Sequence, residues 1–332
     1  MRKVFNGPTS EPAESSEKVR EGGEKSIAEF SERVLESVGK AAADAAEKAA
    51  DIAIKAKNSV TDTLDVTDDG KIDVEDIIVM GLKVPGIRVN RAAFLRAEFA
   101  KRYPQEVVED AVAFNPAHAG IPQAEIDSIA DSVIRFERNC VSGISAALGI
   151  PGGMAMAATI PADIAQYYGY MLRAAQKLMY LYGFPEINVE ERGQKFDSET
   201  INILTLCLGT MYGVAKAGKA IRKIAEAFAG GMEKKLLRMA LTKGTLYPIV
   251  KSVSKWFGMR MTRQVFAGFF KKAIPVVGGV VGGAVTFASF KPCCDKLKAS
   301  LQNTMLSNPN CSASQEDEIL ILDEVEDTSA EE

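Results

Sequence analysis

Histidine is nearly missing from this chain: His118 is the only one among 332 residues. The five cysteines (Cys140, Cys207, Cys293, Cys294 and Cys311) are odd in number and never form a Cys-x-x-Cys pair. A zinc site built from His and Cys is therefore not expected, and the thiols read as reduced, in a cytosolic protein. His118 lies in the turn Asn115-Pro116-Ala117-His118-Ala119-Gly120 with no cysteine or acid near it in sequence, so it reads as a loop residue. The opening segment MRKVFNGPTSEPAESSEKVR has no apolar run that could act as a signal peptide, and export is not expected. The glycines of GIPGG, 149–153, lack the lysine that ends a phosphate-binding loop. No catalytic constellation appears anywhere in the chain.

Basic residues are missing after Lys298, where the tail holds Glu316, Asp317, Glu318, Asp323, Glu324, Glu326, Asp327, Glu331 and Glu332. The net charge of −4 conceals that end and an opposite block: between Lys216 and Lys272, fourteen Lys and Arg face only Glu226 and Glu233. The block is written as amphipathic helices. Its one tryptophan, Trp256, sits beside Phe257 among Lys251, Lys255, Arg260 and Arg263. An aromatic anchor within a basic face suits an interfacial helix on anionic lipid, where each Lys or Arg contributes about 1 kcal/mol. Nucleic acid would also accept the charge, but no recognition helix or RNA-binding motif accompanies it. The plain alternative is a solvated basic face partly neutralised by the acidic tail.

Periodicity gives an all-α chain: a multi-helix bundle with a long N-terminal amphipathic helix and disordered termini. Residues 1–15 read as a disordered leader. Over 16–64, Ile27, Phe30, Val34, Val38, Ala41, Ala45, Ala49 and Ile52 recur every three or four residues in an Ala-rich helix. A further bundle occupies 85–305. Asn90 caps a helix ending near Tyr103, Pro104 starts the next, and Pro122 opens a third through Arg138. Thr159 is expected to cap a helix whose first turn holds Pro161, and Ser198 to cap one long helix reaching Phe228. Residues 306–332 form an acidic, disordered tail with a strand-prone EILILDEVED segment. Either this tail or the N-terminal helix could engage a protein partner.

Between the first helix and the bundle, over 65–84, the stretch DVTDDGKIDVED resembles an EF-hand calcium loop followed by a short helix, and its closing Asp makes it similar to the dockerin variant. Calcium takes six or seven oxygens around a tight turn. Asp65, Thr67, Asp69, Lys71 (through its carbonyl), Asp73 and Asp76 stand at the ligand positions, with Gly70 at the sharp turn and Ile72 packing inward. Thr67 and Asp76 depart from the usual Asp/Asn and bidentate Glu, which points to weaker Ca2+ binding. An acidic surface turn is the alternative.

The stretch from Cys140 to Phe184 organises the bundle. It is uncharged from Cys140 through Ala162, then places Asp163, Gln166, Tyr170, Arg173 and Lys177 on one helix face, with Tyr167 beside them. This seam is either a mutually satisfied network that sets helix register or the lining of a pocket in which Arg173 and Lys177 hold an anion. A second small-residue stretch, Ile274 to Phe290, carries overlapping GxxxG pairs. It is expected to pack on 143–158 in a common glycine-lined core, with transient bilayer insertion as the alternative at this marginal length.

TIPADIAQYYGYMLRAAQKLMYLYGFPE (159–186), the preceding GIPGG, and IPVVGGVVGGAVTFASFKPCCDKLKASL (274–301) together resemble the EcsC family, over roughly 88–301. The resemblance implies a bacterial, largely helical, intracellular protein, sometimes linked to membranes through genetic proximity to an ABC transporter. It carries no agreed catalytic activity, so no catalytic residue follows from it. The expectation is a non-enzymatic, cytoplasmic protein, peripheral to anionic membranes, with one calcium-type loop. The alternatives are a small-ligand or headgroup sensor or enzyme using the 163–182 seam, and a protein–protein adaptor working through the two ends.

Overall fold

A computed structural model describes residues 73–148, 154–187, 196–231, 234–258 and 275–308. The leader, the Ala-rich helix and the acidic tail lie outside these residues. Every regular element among the described residues is an α-helix, as the periodicity requires. In chain order they are α1 (Val74–Lys83), α2 (Arg91–Phe99), α3 (Gln105–Ala113), α4 (Gln123–Leu148), α5 (Met154–Leu181), α6 (Ser198–Tyr212), α7 (Ala217–Ala229), α8 (Lys234–Thr242), α9 (247–258) and α10 (Pro275–Gln302).

The three longest, α4, α5 and α10, form the centre, and the α4–α10 contact is the most extensive among the described helices. Polar pairs set their directions. Glu137 of α4 meets Arg173 and Lys177 of α5, and the Tyr182 hydroxyl donates to Asp127 at 2.7 Å, so α4 and α5 run antiparallel. Thr286 of α10 reaches Ser145, and Lys298 reaches Asp131 at 2.6 Å, so α10 is antiparallel to α4. Tyr167 of α5 then stands beside Ser289 and Phe290, parallel to α10.

Smaller helices close round this centre. α1 crosses α5 where two glycines meet: a Cβ on Gly81 would lie 3.1 Å from the backbone nitrogen of Gly169 and 2.9 Å from Leu172 Cδ1. The turn after α1 is tied to α5 by the fully buried Gln176, whose amide donates to the carbonyls of Ile87 and Leu172 and accepts from Val89 N–H. Arg91, also buried, donates to the carbonyls of Val112, Phe114 and Phe184. A cation at the C-terminal end of α3 satisfies carbonyls that the helix leaves unpaired.

Several expected boundaries move. Asn90 caps α2 as anticipated, its side chain accepting from Ala93 N–H. α4 does not stop near Arg138 but runs on to Leu148, because its small C-terminal residues have α10 to pack on, and tertiary contact extends a helix beyond its local propensity. α5 begins at Met154, so Thr159 and Pro161 lie within the helix rather than at its cap and first turn; Pro161 supplies no backbone N–H there. Asp197, not Ser198, is the N-cap residue of α6. The single helix expected from Ser198 to Phe228 is two, broken where Gly213 takes φ 72° and Lys216 takes φ 65°. Of the two small-residue stretches, Thr286 of α10 meets Ser145 of α4, but a Cβ on Gly143 would meet nothing within 4 Å, and the other glycines expected to line a common core lie outside the residues whose side chains are described.

Gly81→Val is expected to lower unfolding free energy by about 2 kcal/mol, the usual cost of forcing atoms into a filled contact. Urea denaturation followed by far-UV circular dichroism measures it, and an unchanged midpoint would refute the close approach of α1 and α5.

Candidate functional site

Three regions were singled out by sequence, and the structure treats each differently. Of the calcium-type loop, Asp65, Thr67, Asp69 and Lys71 lie outside the described residues. Asp73 and Asp76 are described, and they form the N-terminus of α1 as a reciprocal capping box. Asp73 Oδ1 accepts from Glu75 N–H at 2.7 Å and from Asp76 N–H, while Asp76 Oδ2 accepts from Asp73 N–H at 2.9 Å. Asp76 is fully buried. Two carboxylates at a helix N-terminus suit the local dipole. Among the described residues no group of three His, Cys, Asp or Glu side chains could hold a metal ion.

The seam on α5 splits. Asp163 belongs to the helix, its side chain outside the described set, and Gln166 is half-buried. Arg173 and Lys177 turn toward α4, where both meet Glu137 Oε1, at 3.5 Å and 2.5 Å. Glu137 is completely buried, and its second oxygen, Oε2, receives no hydrogen bond among the described residues. The Lys177 ammonium also lies 5.5 Å from the Phe94 ring centre and 5.7 Å from that of Phe136, and the Arg173 guanidinium 5.8 Å from that of Tyr170. Burial pushes the half-buried Tyr170 phenol above its ordinary value. Both cations of the seam are thus engaged by a buried carboxylate, which matches the network reading. Glu137 was not found from sequence because it lies on another helix. The helical phase of Ile126, Ile129, Val133 and Phe136 was legible, but a single Glu within it carries no mark of its partners.

Tyr167 belongs to a separate interior cluster, its hydroxyl 3.3 Å from Ser289 Oγ. Its ring meets Tyr168 edge-on at 5.2 Å, and the Tyr212 hydroxyl donates to that of Tyr168 at 3.3 Å. Burial raises the pKa of all three phenols, so they stay protonated and act as hydrogen-bonding rings in the core. Trp256 joins this cluster: it packs 5.8 Å from Tyr212 and 5.1 Å from Phe257, half-buried, and so is turned inward rather than serving as the outward anchor expected of it.

The basic block is partly described; Arg260 and Arg263 lie outside. α9 seats Ile249, Val250, Val253 and Phe257 inward, with Val253 against α6 at Gly209. Its opposite face shows Tyr247, Lys251 and Lys255, spaced by four and all exposed. Just before it, at the end of α8, Met239 and Lys243 are also exposed. Tyr247 is 44% and Met239 57% exposed, in a molecule whose other large apolar side chains are mostly interior. Lys243, Lys251 and Lys255 make no ion pair among the described residues. Met239 and Tyr247 were not picked out from sequence; Tyr247 shares a helical face with Lys251 and Lys255, whereas the turn at 243–246 separates Met239 from it. An open cleft of about 630 Å³ at the end of α10, lined by Gln123, Gln302, Asn303 and Ser307 among others, contains none of the residues expected from sequence.

No helix among the described residues is long and apolar enough to cross a membrane. Comparison with protein-family models, with curated proteins and with solved structures found no match.

Glu137→Gln is expected to cost about 3 kcal/mol in urea unfolding, because two partly buried cations lose their counter-charge. Lys177→Met should cost less, since Arg173 still faces the carboxylate. An anion-binding seam would behave in the opposite way, with Glu137→Gln neutral or stabilising.

Proposed function

We propose that this protein docks reversibly on anionic membrane surfaces through the outer faces of α8 and α9, without catalysing a reaction. One observation carries the reading: two exposed apolar side chains, Met239 and Tyr247, alternate with Lys243, Lys251 and Lys255, which have no carboxylate partner among the described residues. A methionine and a tyrosine can enter the headgroup layer while the lysines remain with the phosphates. Trp256 contributes by bracing α9 on Tyr212 rather than by entering lipid. Arg260 and Arg263 continue the same basic run in sequence. The likeness to the EcsC family, with its implied link to membranes, points the same way. The engagement of Arg173 and Lys177 by Glu137 leaves the seam less suited to a soluble anion.

The loop from Asp65 to Asp76 is read as a calcium site that braces the start of α1. Support comes from its six ligand positions and from the two closing carboxylates gathered at one helix N-terminus. Titration calorimetry with calcium should give a one-site heat that Asp65→Ala abolishes. Unaltered heat in that variant would refute the ligand assignment.

Co-sedimentation with vesicles tests the docking. Binding to phosphatidylcholine vesicles containing phosphatidylglycerol is expected, and it should weaken as salt rises. Changing Lys243, Lys251 and Lys255 together to Glu should reduce it by on the order of 100-fold, from about 1 kcal/mol for each lysine. Equal sedimentation with neutral vesicles, or an unaffected triple variant, would refute it.

A further inference from the structure

The acidic tail and the basic face of α8 and α9 carry the same pattern with opposite charge. In sequence the tail sets four apolar residues, Ile319 to Leu322, between the acids Glu316, Asp317 and Glu318 on one side and Asp323, Glu324, Glu326 and Asp327 on the other, with no lysine or arginine among them. On the described surface Met239 and Tyr247 are exposed, and Lys243, Lys251 and Lys255 stand exposed around them with no carboxylate partner among the described residues. The turn between the two helices is tight: Lys243 N–H donates to the Met239 carbonyl at 3.0 Å, and Leu246 N–H to that of Ala240 at 3.2 Å. The end of α8 and the start of α9 therefore lie together, with Lys243 between them.

The described residues just before the tail stand at the same end of the bundle as that turn. A Cβ on Gly183, just past α5, would lie 3.0 Å from the carbonyl oxygen of Leu306. α6 runs antiparallel to α5, since Cys207 meets Met179 and Tyr212 meets Tyr168, so the start of α6 is level with Gly183. There the Asn202 side chain donates to the Leu241 carbonyl at 3.1 Å, which brings the end of α8 to that level. α9 then leads away along α6, with Val253 at Gly209 and Phe257 at Tyr212. Met239, Lys243 and Tyr247 are thus nearest to Asn308, and Lys251 and Lys255 follow. α10 packs on α6, and α6 on α8, so two helix spacings of roughly 8–10 Å each lie between α10 and α8. The stretch from Asn308 to Ile319, extended, reaches up to about 36 Å, which is enough to cross them.

From this we infer that residues 316–327 lie across the face formed by Met239, Lys243, Tyr247, Lys251 and Lys255, so that the chain's own tail and an anionic lipid surface compete for one site. The inference rests on the docking reading and adds its control. Carboxylates supply to the lysines the negative charge that headgroup phosphates would. Isoleucine and leucine cover the apolar area that the headgroup layer otherwise accepts. The contact is made within one chain, so the tail acts at an effective concentration on the order of millimolar, whatever the protein concentration. A face covered for about nine-tenths of the time binds lipid about tenfold more weakly than a bare one.

Carbodiimide coupling of the full chain without lipid, followed by mass spectrometry of the monomer, tests the contact. It is expected to join carboxylates of 316–327 to Lys243, Lys251 or Lys255, and vesicles of phosphatidylcholine and phosphatidylglycerol should suppress that product. A variant carrying Ile319→Ser, Leu320→Ser, Ile321→Ser and Leu322→Ser keeps the charge of the tail. It should lose the coupling and sediment with the same vesicles about tenfold more tightly. Coupling to other lysines only, or none, overturns the contact. A serine variant that sediments like the natural chain overturns the competition, even where neutralising the acids strengthens binding, because charge alone then accounts for the effect. Coupling found only between chains, in a mixture of isotopically light and heavy protein, assigns the face to a second copy's tail and overturns the contact within one chain. Coupling as expected, with no sedimentation of either protein, overturns docking and supports the tail contact by itself.

Discussion

The antiparallel clasp between α4 and α5, with α10 laid along both, is the constraint on which the other positions depend. Its contacts to charged groups fall in one half of the helices: Tyr182 on Asp127, Lys298 on Asp131, Arg173 and Lys177 on Glu137. Each joins residues distant in sequence, so sliding any helix by one turn would break several at once. Glu137 is the most demanding of them. A fully buried carboxylate is costly unless cations accompany it, and once they do, no other register satisfies all three groups. Such a pair contributes little net stability compared with apolar packing; what it adds is a penalty on alternatives.

In the other half of the same helices the means of contact changes. Charges disappear there, and the described contact of α4 with α10 is made by hydroxyls, Thr286 with Ser145 at 3.4 Å, while a Cβ on Gly143 would meet nothing within 4 Å. The molecule thus has a charged, register-setting half and an uncharged half along a single set of axes. The further helices extend this arrangement sideways: α1 through the Gly81–Gly169 crossing, and α6 through Gly209, where Val253 of α9 seats.

The proposed docking rests on the surface of α8 and α9. A basic surface by itself would be ordinary solvated protein. Here Met239 and Tyr247 stand exposed among lysines, and the helix that carries Tyr247 is locked through Trp256 and Phe257 onto the tyrosine cluster at the base of the uncharged half. A short chain of rings, Trp256 to Tyr212 to Tyr168, whose phenols burial keeps neutral, ties α9 to α5.

The amino-acid sequence by itself determined the helical class, the cap at Asn90 and the separation of a basic block from an acidic tail. Each of these depends on neighbours within a turn or two, or on composition alone. It also showed that Arg173 and Lys177 share a face, and left open whether a buried network or a bound anion meets them. Only the tertiary structure decided that Glu137 meets them, that Trp256 turns inward while Tyr247 stays out, and that the helix from Ser198 breaks at Gly213 and Lys216. The reason is common to all three. Helical spacing reports which residues share a face, whereas the depth at which that face is buried, and what meets it, is set by a helix that the chain reaches dozens of residues away.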